Sequence, residues 1–133
     1  MAITRGIDVL LAEANAVIRT IPTDEAIALH GDVTVTFVDI RDPRELERDG
    51  MVPDALHATR GMLEFWVDPA SPYFKPVFGE DRQFVLYCAS GWRSALATKT
   101  LQDMGMSNVA HVAGGFTAWK ADGGPTGPKP SKH

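Results

Sequence analysis

The chain has 133 residues, of which 44% are apolar and 23% charged, and its net charge is −4. This length suits one domain able to bury about two-thirds of its unfolded surface. An acidic balance without any Lys/Arg-rich run argues against a nucleic-acid partner, and no apolar stretch approaches the ~18 residues of a membrane span.

Ile7, Leu10, Leu11 and Ala14 share one helical face and predict an amphipathic N-terminal helix over residues 5–16. Asp8 and Glu13 interrupt or flank that apolar run, and no small-residue cleavage site follows, so it does not read as a signal peptide. Thr23, followed by Asp24 and Glu25, predicts a capped helix over 23–30 that Gly31 ends. Residues 33–40, VTVTFVDI, are β-branched and apolar enough for a strand buried on both faces. Pro43 fits the first turn of a short helix through Arg48. A short strand at 55–57 and a helix or turn over 60–66 follow, and then an irregular stretch at 68–78 with three prolines. Residues 83–87 form a second buried strand, 94–104 a helix stopped by Gly105, and 109–113 a third strand. Gly114 and Gly115 make a tight turn into a last helix ending near Ala121. The remainder, GGPTGPKPSKH, offers nothing apolar to bury and predicts a loose tail over 123–133. Strands alternating with helices predict an α/β domain with a mainly parallel sheet and helices on both faces. Function in such sheets sits at the carboxyl ends of the strands, after Ile40 and above all after Tyr87.

Cys88 follows the apolar strand FVLY and opens the stretch Cys88, Ala89, Ser90, Gly91, Trp92, Arg93, Ser94 ahead of a helix. A short loop curling from a strand end to a helix start turns several backbone N–H groups inward, and the helix dipole adds partial positive charge. Gly91 tolerates the backbone angles such a loop needs, and Arg93 adds a full charge at its rim. A cysteine there acquires a lowered pKa and becomes a nucleophile; elsewhere a lone cysteine is commonly an inert buried hydrophobe. A single cysteine also forms no internal disulfide, which fits a reducing cytoplasm.

CASGWRS resembles the active-site loop of the rhodanese superfamily, six residues beginning with the nucleophilic cysteine. FVDIRDPREL, GMVPDALHATRGMLEF and GGFTAWKADGGP resemble three further signatures of that family in the family's order, and the similarity spans residues 18–125. The resemblance implies a three-layer rhodanese domain over 18–122, preceded by an additional N-terminal helical extension over 1–17 that either caps the domain or pairs two copies as a homodimer. It implies a sulfurtransferase in which the Cys88 thiolate takes the outer sulfur of a donor such as thiosulfate. The resulting persulfide is held by the loop amides and passes its sulfur to a thiol or to cyanide, with no metal or organic cofactor.

Two other readings compete. Cysteine-dependent phosphatases and arsenate reductases place five residues between Cys and Arg, whereas four (Ala89 to Trp92) stand here, and no upstream Asp is clearly placed as general acid. A persulfide carrier or regulatory binding module without turnover is the third reading, although inactive members of the family typically lack the loop cysteine.

Among supporting residues, Arg93 is expected to attract an anionic donor, with Glu64 holding it in place. Asp39 ends a buried strand and needs a partner, expected at Ser90 or nearby backbone, while Arg41 ties segments together. Arg60 reads equally as a pocket-mouth residue and as a plain surface arginine. Trp92 is expected to point outward, and Phe116 and Trp119 to lie in the core. His30, His57, His111 and His133 show no metal-ligand spacing, and His57 and His111 read as structural groups within strands.

Overall fold

In the computed structural model, which describes residues 1–131, helix α1 (Ile7–Val17) comes first, followed by strand β1 (Thr20–Ile21) and helix α2 (Thr23–Leu29). Then come β2 (Val35–Asp39), α3 (Pro43–Asp49), β3 (Leu56–His57), a 3-10 turn (Arg60–Met62) running into α4 (Leu63–Val67), and a second 3-10 turn (Pro76–Gly79). The chain closes with β4 (Gln83–Tyr87), α5 (Trp92–Asp103), β5 (Val109–Val112) and α6 (Gly115–Ala121).

The five strands form one sheet in the order β1-β5-β4-β2-β3, and every pairing is parallel. The chain leaves β2 toward β3 on one side and leaves β4 toward β5 on the other. The carboxyl ends of β2 and β4 therefore flank a topological switch point, where open parallel sheets place their sites.

Side-chain alternation along β4 divides the core. Phe84 and Leu86, continued by Cys88, join Leu63 of α4 and Ala97 and Leu101 of α5 in one apolar layer. Val85 and Tyr87 face Ala26 of α2 and Phe116 and Trp119 of α6 on the other side. The period of two that builds a two-faced strand thus also decides that the Cys88 side chain enters the α5 side of the sheet. Helix α1 packs against α5 on that side, as the additional N-terminal helix of the fold.

Two local expectations need correction, and one strand was not expected at all. Thr23 does not cap α2: Pro22 holds the N-cap position, and the Thr23 hydroxyl donates to Ala113 O at 2.9 Å instead, tying α2 to the end of β5. The two-residue strand β1 has no counterpart in the sequence pattern, being too short to show a period. The expected loose tail is pinned over its first part. Trp119 Nε1 donates to Pro125 O at 2.7 Å, and Gly127 exchanges two backbone hydrogen bonds with Met51, at 2.8 and 2.9 Å. These anchors use main-chain groups, so a search for apolar side chains to bury misses them. Lys132 and His133, the end of that predicted tail, lie outside the described residues.

Candidate active site

Tyr87 ends the central strand β4, and the chain turns at once. Gly91 adopts φ 100°, in the left-handed region, and serves as the N-cap of α5. The helix therefore begins at Trp92, two residues before the expected Ser94, and Arg93 and Ser94 lie in its first turn.

The loop is fixed from behind by α6. Phe116 N–H donates to Cys88 O at 2.8 Å and Thr117 N–H to Ala89 O at 3.1 Å. Such close approach is open to glycine alone at the start of α6: a Cβ on Gly115, whose φ is +60°, would stand 2.6 Å from Cys88 O and 2.7 Å from Ala89 C and O.

Within this frame the Cys88 thiol is 1% exposed, yet it is not surrounded by hydrocarbon alone. Gly91 N–H points at Sγ from 3.2 Å, and Ser94 Oγ lies 3.6 Å away. Burial pushes the thiol pKa up. The Ser94 hydroxyl and the amides of Ser94, Gly91 and Ser90 outweigh that effect, so the net displacement is downward from the ordinary value. The cradle can stabilise negative charge on sulfur, both through these donors and through the N-terminal end of a helix 12 residues long.

Behind Ser94 stands a group that composition alone leaves looking structural. His111 Nδ1 is 2.9 Å from Ser94 Oγ, and His111 Nε2 is 3.0 Å from Thr20 Oγ1. Burial lowers the imidazole pKa to about 4, so the ring is neutral near pH 7.

Arg93 does not reach toward Glu64. Its Nη1 and Nη2 each donate to a carboxylate oxygen of Glu45, both at 2.9 Å, a bidentate pair across the β2–β4 crevice. Hydrogen bonding from Arg93 holds the Glu45 carboxyl at about 2, well below its usual range, and Glu45 in turn raises Arg93. Glu45 Oε2 also accepts from Asp42 N–H at 2.9 Å, as the far member of a capping box at the start of α3. Glu64 is instead bound one helical turn away, accepting from Arg60 Nη1 at 2.8 Å. Arg60 Nη2 also lies 3.5 Å from Thr100 Oγ1, so the Arg60–Glu64 pair braces α4 against α5.

Of the two partners expected for Asp39, Ser90 is not bonded to it, and nearby backbone is. The Asp39 carboxylate accepts from Arg41 N–H at 3.0 Å, Arg41 Nε at 3.0 Å and Arg41 Nη2 at 2.8 Å. Arg41 Nη2 also donates to Gly50 O at 2.7 Å, and its guanidinium lies 4.5 Å from the Phe116 ring centroid. Both partners are fully buried, so the pair is a clamp joining the end of β2 to the end of α3 and to α6. Trp92 is 64% exposed, whereas Phe116 and Trp119 are buried in the α6 layer. His57 Nε2 donates to Arg41 O at 2.7 Å.

The sequence does not bring Glu45 or Thr20 to the site, and it marks His111 only as a structural group within its strand. Asp42-x-x-Glu45 is legible as a capping box, but nothing local to it points to Arg93.

Comparison with known proteins adds three findings to this geometry. The family model for the rhodanese-like domain matches residues 22–122. A protein of Allochromatium vinosum named sulfurtransferase is 36% identical over 91 residues, covering 68% of this chain and 77% of that protein. Two solved structures superimpose. One is a Rhodopseudomonas palustris protein of unknown function described as a possible tyrosine phosphatase, 60% identical, with a TM-score of 0.93 over 96% of this chain and 98% of that one. The other is a rhodanese-related protein of Thermoplasma volcanium, 24% identical, with a TM-score of 0.67 over 84% of this chain and 99% of that one, a likeness of fold.

Proposed function

We propose that this chain, which belongs to the rhodanese-like domain family, is a sulfurtransferase that carries sulfane sulfur on Cys88 and takes it from a small anionic donor of the thiosulfate type. The observation that carries the proposal is the Cys88 cradle, in which Gly91 N–H lies 3.2 Å from Sγ and the amides of Ser90 and Ser94 act with it to lower the thiol pKa.

In the first half-reaction the Cys88 thiolate attacks the outer sulfur of thiosulfate. The sulfur–sulfur bond of the donor breaks, sulfite leaves with the electron pair, and Cys88 holds a persulfide whose terminal sulfur carries the negative charge. The amides and the start of α5 then stabilise that charge. In the second half-reaction a nucleophile, cyanide in an assay or a thiol in the cytoplasm, attacks the terminal sulfur and the thiolate is restored. Each step is a displacement at sulfur, giving ping-pong kinetics. Trp92 and Arg93 shape the entrance; Asp39 and Arg41 hold the strand end beneath the loop; Arg60 and Glu64 brace the flank.

A phosphatase shares the thiolate, and the description of the Rhodopseudomonas palustris protein gives that reading a place. Two features speak against it. Only four residues separate Cys88 from Arg93. And the guanidinium that would clamp a phosphate already has both terminal nitrogens on Glu45.

The test is a thiosulfate:cyanide assay on wild type and Cys88→Ser, with intact mass after thiosulfate and p-nitrophenyl phosphate hydrolysis in parallel. The expected result is thiocyanate production and a gain of one sulfur atom in wild type, and neither in the serine variant. Phosphate release without thiocyanate transfers the chain to the phosphatase reading. A stable persulfide without thiocyanate makes it a carrier.

A further inference from the structure

Cys88 is 1% exposed, so ionising it requires both a donor for the sulfur and a way out for the proton. Ser94 and His111, themselves 0% and 3% exposed, continue inward from it. Thr20, which the parallel register of β1 on β5 sets directly opposite His111, is exposed at the sheet edge. The contacts run Cys88 Sγ–Ser94 Oγ 3.6 Å, Ser94 Oγ–His111 Nδ1 2.9 Å and His111 Nε2–Thr20 Oγ1 3.0 Å. The sulfurtransferase proposal uses the amides and the Ser94 hydroxyl and leaves His111 and Thr20 without a role.

We infer that His111 is a positioning residue for Cys88, acting through Ser94: its tautomer decides whether the Ser94 hydroxyl donates to the sulfur or accepts from it. The inference rests on the thiolate chemistry proposed above.

Ser94 has one hydroxyl proton to give. When His111 carries its proton on Nδ1, that N–H donates to Ser94 Oγ, and the Ser94 proton is directed to the sulfur, as a thiolate requires. When the proton sits on Nε2, Ser94 donates to Nδ1 and presents lone pairs to the sulfur, as a thiol requires. The Thr20 hydroxyl satisfies the far nitrogen in both cases, donating to Nε2 in the first and accepting from it in the second. Passing from the thiol to the thiolate arrangement moves one proton at each link. The Cys88 proton goes to Ser94 Oγ, the Ser94 proton to Nδ1, the Nε2 proton to Thr20 Oγ1, and the Thr20 proton to water. No charge accumulates on the ring, in keeping with the burial that keeps it neutral. The charged group that feels the sulfur is Arg93, in the first turn of α5.

Two measurements test this, neither requiring sulfur transfer. The first is the ring nitrogen chemical shifts of His111 in the wild-type protein, followed by NMR against pH. The Nε2–H tautomer is expected below the Cys88 pKa and the Nδ1–H tautomer above it; one tautomer throughout overturns the inference. The second is the pH profile of Cys88 alkylation by iodoacetamide. His111→Leu removes the N–H that polarises the Ser94 hydroxyl and is expected to raise the apparent thiol pKa by about half to one pH unit, or ~3- to 10-fold less thiolate on the acidic side. His111→Asn, whose amide nitrogen replaces Nδ1–H, restores most of it. In a Ser94→Ala background the His111→Leu shift disappears, because the coupling passes through the hydroxyl. A shift of the same size with and without Ser94 refutes the coupling. A protein that swaps tautomers but yields no thiocyanate removes the sulfurtransferase proposal and leaves this inference standing.

Discussion

Replacing Gly115 by alanine tests whether the Cys88 loop is held from behind by α6. The residue has φ +60°, and an alanine Cβ there would lie 2.6 Å from Cys88 O and 2.7 Å from Ala89 C and O. All three are main-chain atoms, so no side chain can swing away. The left-handed backbone costs alanine about 1 kcal/mol relative to glycine. Relieving the overlap requires the loop and α6 to part, which stretches the Phe116 N–H to Cys88 O and Thr117 N–H to Ala89 O bonds, now 2.8 and 3.1 Å. Each is worth about 1 kcal/mol, giving a loss of about 3 kcal/mol in all. Urea unfolding should show a lower midpoint at an unchanged slope. Thiosulfate:cyanide turnover should fall as well, because moving Cys88 O moves the sulfur against its amides. Gly61→Ala is the control: nothing lies within 4 Å of its Cβ position and it has no positive φ, so a change of no more than about 0.5 kcal/mol is expected. A Gly115→Ala protein as stable and as active as wild type would show that the loop does not depend on this contact.

Three more outcomes follow from the charges and the tail. Asp39→Asn leaves a buried guanidinium without its carboxylate and should destabilise the fold by about 3–5 kcal/mol in denaturant titration, with Arg41→Lys rescuing little because the forked geometry is lost. Glu45 has its pKa depressed to about 2 in the folded protein, so its contribution is fully present above the ordinary carboxylate value near 4.5 and is lost as pH falls through about 2. Glu45→Gln should flatten the acid limb of the stability–pH curve, at a cost of about 1 kcal/mol at neutral pH for a pair with a half-exposed arginine, and should lower the thiosulfate KM by freeing Arg93. Trp119→Phe deletes the donor to Pro125 O and should cost about 1–2 kcal/mol and speed proteolysis after residue 122.

How far the sequence could be read depended on how local each determinant is. Strands β2, β4 and β5 announce themselves as β-branched or apolar runs, and alternating strand and helix patterns lead to a parallel sheet. Strand β1 exists only because β5 offers it an edge, so two residues of sequence hold no sign of it. Helix α5 starts early because Gly91 supplies the left-handed cap; Trp92, Arg93 and Ser94 carry no apolar rhythm that would mark a helix start. The Glu64 assignment failed against a nearer partner: Arg60 stands four residues before it, and a pair one turn apart on a helical stretch forms without any help from the fold. Asp39 did need a buried partner, but Arg41, two residues on, was close enough to take the whole carboxylate before Ser90 could. His111 was legible only as a polar residue in a strand; its contact with Ser94 joins segments 17 residues apart, and that with Thr20 joins segments 91 apart.

The Glu45–Arg93 pair bears most directly on which chemistry the thiolate serves. A phosphate monoester arrives as a dianion with three peripheral oxygens, and neutralising it calls for a cation with unoccupied donors beside the nucleophile. Here the nearest guanidinium is bound at both ends, and the carboxylate that binds it brings a compensating negative charge to the crevice. Besides Arg93, what faces the sulfur is a set of neutral dipoles: three amides, a hydroxyl and the start of α5. Such dipoles suit a single, diffuse, weakly hydrated anionic atom. A terminal persulfide sulfur is such an atom, so this lining favours sulfur transfer.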